Sequence, residues 1–406
     1  MSPAQTGMWL DQLRSPQDLS QLCFAAWWLE GTLDDGALQS ALHDLHWRHE
    51  LLHSRFVLEQ DPMVRPAGDV LPPTLLRLPG VDTHEDARHA VERALACPLD
   101  IASGQVWRAC VVRAAEPGAN LFCTAVHHIA FDAASEAILA RDLSIAYAAR
   151  LRRQQPSFPA LAPSWSAVIS ACRRPAAGSD LGPQRAFWRS ALAGLPELRL
   201  PPGQSGAGSL GVADVAISDA KLGPWLAAAR TAGGTRTAAV LAYVASRLAD
   251  RTGQHDFALG VPVTKRISDA FDDAIGCLID SLCVRLSFSP GGLSPVAATV
   301  VAHQALRASL EARDVPLREV ISIVKPPRSV RHPLFQAIFA AVEPTGPLLK
   351  FPDCRSTFIR PDPPRAVAEL VIEFVPGIRG WPTRLHITYR PEAVSDSFVR
   401  DLVEHM

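Results

Sequence analysis

Between Gln154 and Pro183 the chain carries Pro156, Pro159, Pro163, Pro175 and Pro183, with a short apolar segment, Trp165–Cys172, among them. Proline fixes φ and removes a backbone donor, so a stretch this dense continues neither a helix nor a central strand. The chain of 406 residues is therefore expected to form two lobes, 1–175 and 176–406, each long enough for a core. A second loop signal, PPGQSGAGSLG from Pro201 to Gly211, falls inside the latter.

Both parts mix helical and strand periodicity. In the first, Leu38, Leu42 and Leu45 share a helical face over Asp35–Arg48, with Asp35 as the expected N-cap, and Asp82–Ala96 reads as another helix. Val106–Arg113 and Leu121–His127 read as strands, and Ala134–Leu151 as a long helix. In the second part, helices are predicted over Asp219–Ala232, Thr237–Thr252, Val296–Arg313 and Ser395–Glu404. Strands are predicted over Phe257–Val263, Leu282–Phe288, Leu334–Val342, Val367–Phe374 and Arg384–Tyr389. Both halves read as α/β, with no detectable internal repeat.

Composition narrows the class. A hydrophobic content of 48% against 20% charged residues supplies sizeable cores and excludes disorder as the main state. The formal net charge of −1 argues against a nucleic-acid binder with a basic face. No stretch reaches the roughly 18 apolar residues that span a bilayer, and no signal peptide opens the chain. A soluble, cytoplasmic, monomeric protein is expected. The eight cysteines, Cys23, Cys97, Cys110, Cys123, Cys172, Cys277, Cys283 and Cys354, are too sparse for a disulfide scaffold and form no CxxC pair. They read as small buried hydrophobes, none with a persuasive local partner for thiol catalysis.

Thirteen histidines leave two constellations to weigh. His49-Glu50-Leu51-Leu52-His53 matches the HExxH string, which on a helix sets two imidazoles on one face to hold zinc beside a Glu. No third ligand follows, and Leu51 and Leu52 continue the apolar stripe of Leu42 and Leu45, so a packed core segment is the stronger reading. The other is Val126-His127-His128-Ile129-Ala130-Phe131-Asp132-Ala133-Ala134-Ser135, between an apolar strand and a helix. Adjacent strand residues point oppositely, so one histidine packs inward and the other faces a groove, where it can move a proton near neutral pH. Catalysis, core packing and metal binding all remain open from these residues alone.

The stretch His127–Asp132 resembles the HHxxxDG motif of the condensation domains of nonribosomal peptide synthetases, and of acyltransferases built like chloramphenicol acetyltransferase. Further stretches resemble that family in its order. Ser2-Pro3-Ala4-Gln5-Thr6-Gly7-Met8-Trp9 is similar to its opening motif, Arg48-His49-Glu50-Leu51-Leu52 with Phe56 to the second, and Pro98-Leu99-Asp100 through Arg108-Ala109 to the segment before the active-site strand. Phe187-Trp188 with Leu192-Ala193-Gly194-Leu195-Pro196 resembles the linker into the second lobe. Ile275-Gly276 through Asp280-Ser281-Leu282 to Arg285, Arg313-Asp314-Val315-Pro316-Leu317 and Arg331-His332-Pro333-Leu334-Phe335-Gln336 resemble the remaining motifs. In the family the position of His53 is usually Arg, which makes the HExxH string accidental, with no metal expected.

The resemblance implies an α/β fold of the α+β sandwich kind, in two chloramphenicol acetyltransferase-like lobes. They would form a V-shaped pseudodimer with the active site in a tunnel between them, the first lobe carrying the motif and the second completing the cleft. It implies an acyltransferase that makes an amide from a donor thioester and an acceptor amine, in natural product or antibiotic biosynthesis. Both substrates would arrive on phosphopantetheine arms of donor and acceptor carrier proteins, with no cofactor bound by the chain. His128 carries over as the catalytic residue, with His127, Asp132 and Arg285 as support. Asp132 would pair with Arg285, and Ala133, Ser135, Asp280 and Ser281 are cleft-lining candidates. Ala133 departs from the motif glycine, and Asp280 from the usual Asn.

HHxxxD instead of HRxxxD argues against the oxygenase-recruiting relatives, and the lack of DxxxxD against heterocyclisation. Ala140-Arg141-Asp142-Leu143 to Tyr147 resembles condensation domains more than epimerases, and Thr6–Gln12 leans towards starter or hybrid domains. The alternatives are a non-catalytic domain that recruits a carrier or tailoring enzyme, and a free-standing acyltransferase using a coenzyme A thioester. With motifs along its length and no adenylation or carrier motif, the chain reads as one condensation unit, stand-alone or excised.

Overall fold

The apolar strand signal Leu121–His127 becomes Ala119–His127, buried along all its residues. A strand is buried throughout when both faces of its sheet are covered, and that is the arrangement here. One face meets the helices Asp35–Arg48 and Ala133–Leu151 through Leu38, Leu42, Leu45, Leu139 and Leu143. The other meets the helix His84–Leu95 through Ala87, Val91 and Leu95. The computed structural model describes residues 1–114, 116, 118–172, 180–204, 210–266, 271–289, 294–343, 345–378 and 382–406.

The chain forms two compact units. Unit 1 comprises Met1–Arg174, Thr264–Ile279 and Thr345–Pro364; unit 2 comprises Pro175–Val263, Asp280–Pro344 and Arg365–Met406. The expected cut at 175/176 lies outside the described residues. Two stretches from the second half of the sequence thus belong to unit 1.

Among the described residues the sheet of unit 1 has five strands, ordered Cys354–Ile359, Leu22–Gly31, Ala119–His127, Trp107–Ala114 and Leu76–Val81. Pairing is antiparallel except between Leu76–Val81 and Trp107–Ala114. Segment 345–364 is bound into this unit at several points. The Trp27 indole donates to the Pro347 carbonyl at 2.7 Å, the Lys350 amide to Ser144 Oγ at 2.8 Å, and Tyr147 stacks on Phe351 at 4.0 Å. Arg360 closes a 2.7 Å ion pair on Glu136.

The sheet of unit 2 runs Gly211–Ile217, Thr383–Tyr389, Leu370–Val375, Ala337–Ala341, Asp256–Thr264 and Ile279–Ser287. The helices Asp219–Thr231, Arg236–Thr252 and Pro295–Glu311 pack against one another, and Ala238, Leu241, Ala245 and Leu248 enter the core of this unit. Among the described residues no helix is long and apolar enough to cross a membrane.

Most predicted elements are present, with two local corrections. The N-cap of the second helix is Asp34, whose carboxylate accepts the Ala37 amide at 2.8 Å, so Asp35 is the first helical residue. The loop expected over Pro201–Gly211 ends one residue early, because Gly211 opens a strand against Tyr389; residues 205–209 of it lie outside the described residues.

Candidate active site

Strand, turn and helix meet at His127–Ser135. The strand ends at His127, His128–Ala130 make a single 3-10 turn, and Asp132 caps the helix Ala133–Leu151. The cap is reciprocal: Asp132 Oδ1 accepts the Ser135 amide at 2.9 Å and its hydroxyl at 2.7 Å, while Ser135 Oγ accepts the Asp132 amide at 3.4 Å. Such caps satisfy the orphan donors of a first helical turn. Ala133 is exposed in that turn and has no left-handed φ, so the local backbone does not demand the motif glycine.

His128 is half-buried and held from both ends. Its amide donates to the Gln21 carbonyl at 2.7 Å, and its Nδ1 lies 2.5 Å from the Phe131 carbonyl oxygen. A carbonyl only accepts, so Nδ1 carries a proton, and in the neutral ring Nε2 is the nitrogen with the lone pair. Burial lowers the affinity of this ring for a proton. The electrostatic influence of Cys23, and then of Cys277, outweighs burial and holds its pKa well above the ordinary histidine value.

His127 is the opposite case. It is 2% exposed, its Nδ1 accepts the Ile129 amide at 3.1 Å, and its Nε2 faces Gln12 Oε1 at 3.3 Å. Burial, with the adjacent His128, lowers its pKa to about 3, so it stays neutral and shapes the turn. The helix Pro3–Arg14 supports the same turn: Gln5, fully buried, donates to the Ile129 carbonyl at 2.8 Å and accepts from the Trp165 indole at 3.1 Å.

The partner of Asp132 is Arg266, which corrects the pairing with Arg285 that the family resemblance implied. Arg266 Nη2 and Nε reach the two carboxylate oxygens at 2.9 and 3.3 Å. Its Nη1 donates to the carbonyls of Phe271 and Ala274 at 2.7 and 2.9 Å. Arg285 instead forms a two-point ion pair with Asp256 at 2.7 and 2.8 Å and donates to the carbonyls of Ala191 and Ala193, all within unit 2. The guanidinium of Arg266 thus ties the segment 264–279 to the turn.

That segment comes very close. The Leu278 amide donates to Asp132 Oδ2 at 3.0 Å and the Gly276 amide to Ser135 Oγ at 3.1 Å. A Cβ on Gly276 would stand 2.2 Å from the Trp165 ring, so only glycine allows this approach. Ser135 is therefore not a cleft-lining residue, as the sequence had suggested; it is fully buried and its hydroxyl is committed to the cap and to Gly276. Asp280 and Ser281 lie in unit 2, where Asp280 Oδ1 accepts the Ser281 amide at 2.9 Å.

The HExxH string dissolves in three dimensions. The α-helix ends at Arg48, and Glu50–His53 is a separate 3-10 turn. His49 Nε2 turns to Asp142 at 3.0 Å, where Arg48 and Arg141 also converge, while His53 Nδ1 bonds the His46 carbonyl at 2.7 Å. Burial would raise the pKa of Asp142, but hydrogen bonds from His49, Arg141 and Arg48 hold it far below the carboxylate range. No group of three metal-binding side chains occurs among the described residues.

Sequence reasoning missed Arg266.

Comparison with known proteins agrees with this architecture. The family model of the condensation domain matches residues 1–345. The chain is 31% identical over 367 residues to an isonitrile lipopeptide synthase of Mycobacterium tuberculosis, covering 84% of this chain and 14% of that protein. It is 32% identical over 336 residues to a probable non-canonical nonribosomal peptide synthetase, CymA, of Salinispora arenicola, covering 77% and 4%. The chain thus spans only a small part of these relatives. Among solved structures it superposes on the X-domain from teicoplanin biosynthesis with a TM-score of 0.85 at 22% identity, covering 98% and 91% of the two chains. It also superposes on the first condensation domain of the CDA synthetase with a TM-score of 0.75 at 20% identity, covering 100% and 95%. With the motif turn, the fold and the sequence match in agreement, the chain belongs to the condensation-domain family of nonribosomal peptide synthetases.

Proposed function

We propose that this chain forms an amide between an acyl or aminoacyl group held as a thioester on a donor carrier protein and the amine of a carrier-bound acceptor. The observation that carries this reading is the anchoring of His128: its Nδ1 proton is fixed on the Phe131 carbonyl of a half-buried ring, so that Nε2 is the base once the ring is neutral. As the amine attacks the thioester carbonyl, Nε2 takes its proton; the carbon–sulfur bond breaks and the carrier's thiolate leaves, to be reprotonated by the imidazolium. Orienting two tethered reactants contributes about 7 kcal/mol or more in favourable cases. The phosphopantetheine arms belong to the substrates in this scheme, and the chain supplies position and a proton acceptor.

Likeness to the teicoplanin X-domain supports a second reading, a domain that recruits a partner without catalysis. A complex of that X-domain with OxyB is among the matched structures, at a TM-score of 0.84. Turnover of loaded donor and acceptor carriers, read by mass spectrometry with coenzyme A-bound donors and alcohol acceptors in parallel, separates the readings. His128→Ala is expected to fold and to lose about 10²–10⁴-fold in rate. Wild-type turnover in that variant would remove the catalytic assignment.

A further inference from the structure

Trp165 opens the eight-residue helix Trp165–Cys172, the apolar segment set among the prolines of the Gln154–Pro183 run, and is 4% exposed. Its indole has one polar atom, an N–H that only donates, and burial without an acceptor would cost free energy. The acceptor is Gln5 Oε1 at 3.1 Å, which also takes the Ser2 amide at 2.9 Å. With both donors on its oxygen, the Gln5 carboxamide has one orientation left. Its NH2 end faces away and donates to the Ile129 carbonyl at 2.8 Å. Turned over, it would set its own oxygen against that carbonyl. Ile129 is the middle residue of the turn, and the Phe131 carbonyl just after it holds His128 Nδ1.

The far side of the indole meets the other support of the turn. Its six-membered ring lies against Gly276, where a Cβ would come within 2.2 Å. The Gly276 amide donates to Ser135 Oγ at 3.1 Å, and its carbonyl accepts from Arg266 Nη2 at 3.2 Å. One side chain of unit 1 thus touches both the helix Pro3–Arg14 and the segment 264–279, the two pieces of chain that brace His127–Ser135.

We propose that Trp165 is a positioning residue of the condensation reaction, acting through Gln5 on the Ile129 carbonyl to place the His128 imidazole. The proposal rests on the condensation reading and gives the proline-flanked helix a part in it. Trp165 touches no reacting atom. Its effect is on where Nε2 stands when the amine attacks, and about 1 Å of misplacement costs on the order of 10²-fold in rate. The loss therefore falls on kcat and leaves KM for the carriers unchanged.

The test compares Trp165→Phe, Trp165→His, Gln5→Met and the double variant W165F/Q5M in the full chain, with loaded donor and acceptor carriers. Phenylalanine keeps the apolar ring and lacks the donor. Histidine is smaller and more polar, but its Nε2–H occupies the place of the indole N–H. Packing alone ranks Phe above His; the hydrogen bond to Gln5 ranks His above Phe. The expected result is that W165F and Q5M each lose about 10–100-fold in kcat at constant KM, with W165H closer to the unmodified rate. Residues acting in one chain are non-additive, so W165F/Q5M should be no slower than Q5M. Should W165F fail to fold, W165H is compared with Q5M and should be the faster. W165F as fast as W165H, losses that multiply in the double variant, a change confined to KM, or W165H slower than Q5M would each overturn the proposal. Absence of turnover in the unmodified protein removes the condensation reading and this role with it, whereas turnover untouched by W165F removes the role alone.

Discussion

Each unit contains an Arg–Asp pair and a histidine of lowered proton affinity, and the two sets do different work. In unit 1, Asp132 and Arg266 have side chains only 2% and 10% exposed, and the carboxylate accepts from Ser135, Leu278 and the guanidinium together. In unit 2, Asp256 and Arg285 are 35% and 24% exposed. The first pair is the hub of the motif turn. The second fastens the end of the helix Gly182–Ala191 to a strand. Identical residue types thus differ in consequence through burial and through the number of main-chain groups that depend on them.

The largest effect should come from breaking the buried hub. Asp132→Ala or Arg266→Ala leaves an uncompensated charge and is expected to cost about 3–5 kcal/mol, read by chemical denaturation. Turnover should fall with it, because the segment 264–279 loses its tie to the turn. A loss in Arg266→Ala no greater than in Arg285→Ala would erase the contrast between the pairs.

Acid probes these histidines of both units. Burial lowers His127 to about 3 and His332 to about 4, and main-chain amides donate to the Nδ1 of each. An unfolded histidine binds its proton near pH 6.5, so the unfolded state gains protons first as pH falls. Their contribution is complete above about pH 6.5 and is lost progressively as pH drops towards the folded values. Each should remove up to about 2 kcal/mol by pH 5. The check is Tm from pH 7.5 to 5, where His127→Gln and His332→Gln should flatten the decline.

Smallest is the surface-facing pair. Arg285→Ala should cost about 1 kcal/mol and leave condensation turnover near the unmodified rate. A collapse of turnover in this variant would restore Arg285 to the site from which the geometry removes it.

The motif turn was legible because its logic is local: an apolar strand, two histidines, and an Asp three residues before a Ser, all contiguous in the chain. Its supports were not. Arg266 lies 134 residues from Asp132, and nothing in periodicity selects it from the other arginines. The resemblance pointed to Arg285, whose nearer carboxylate in the fold is Asp256. Strand Leu22–Gly31 also escaped prediction. It is the central neighbour of the motif strand, but its run Leu22–Leu29 is apolar almost throughout and shows neither period. Cys354–Ile359 was missed for another reason: an edge strand with alternate residues half-exposed looks like a loop from its composition.

That edge strand has a practical consequence for anyone who trims this protein. The family match ends at residue 345, before the strand begins. A chain cut there would lose the partner of Leu22–Gly31 along the register Ala26–Ile359 to Gly31–Cys354. The uncovered row of amides and carbonyls would run beside Trp27 and Leu29, an open invitation to pair with another molecule. Such a fragment should self-associate into β-rich aggregates even though the whole His127–Ser135 turn is still present.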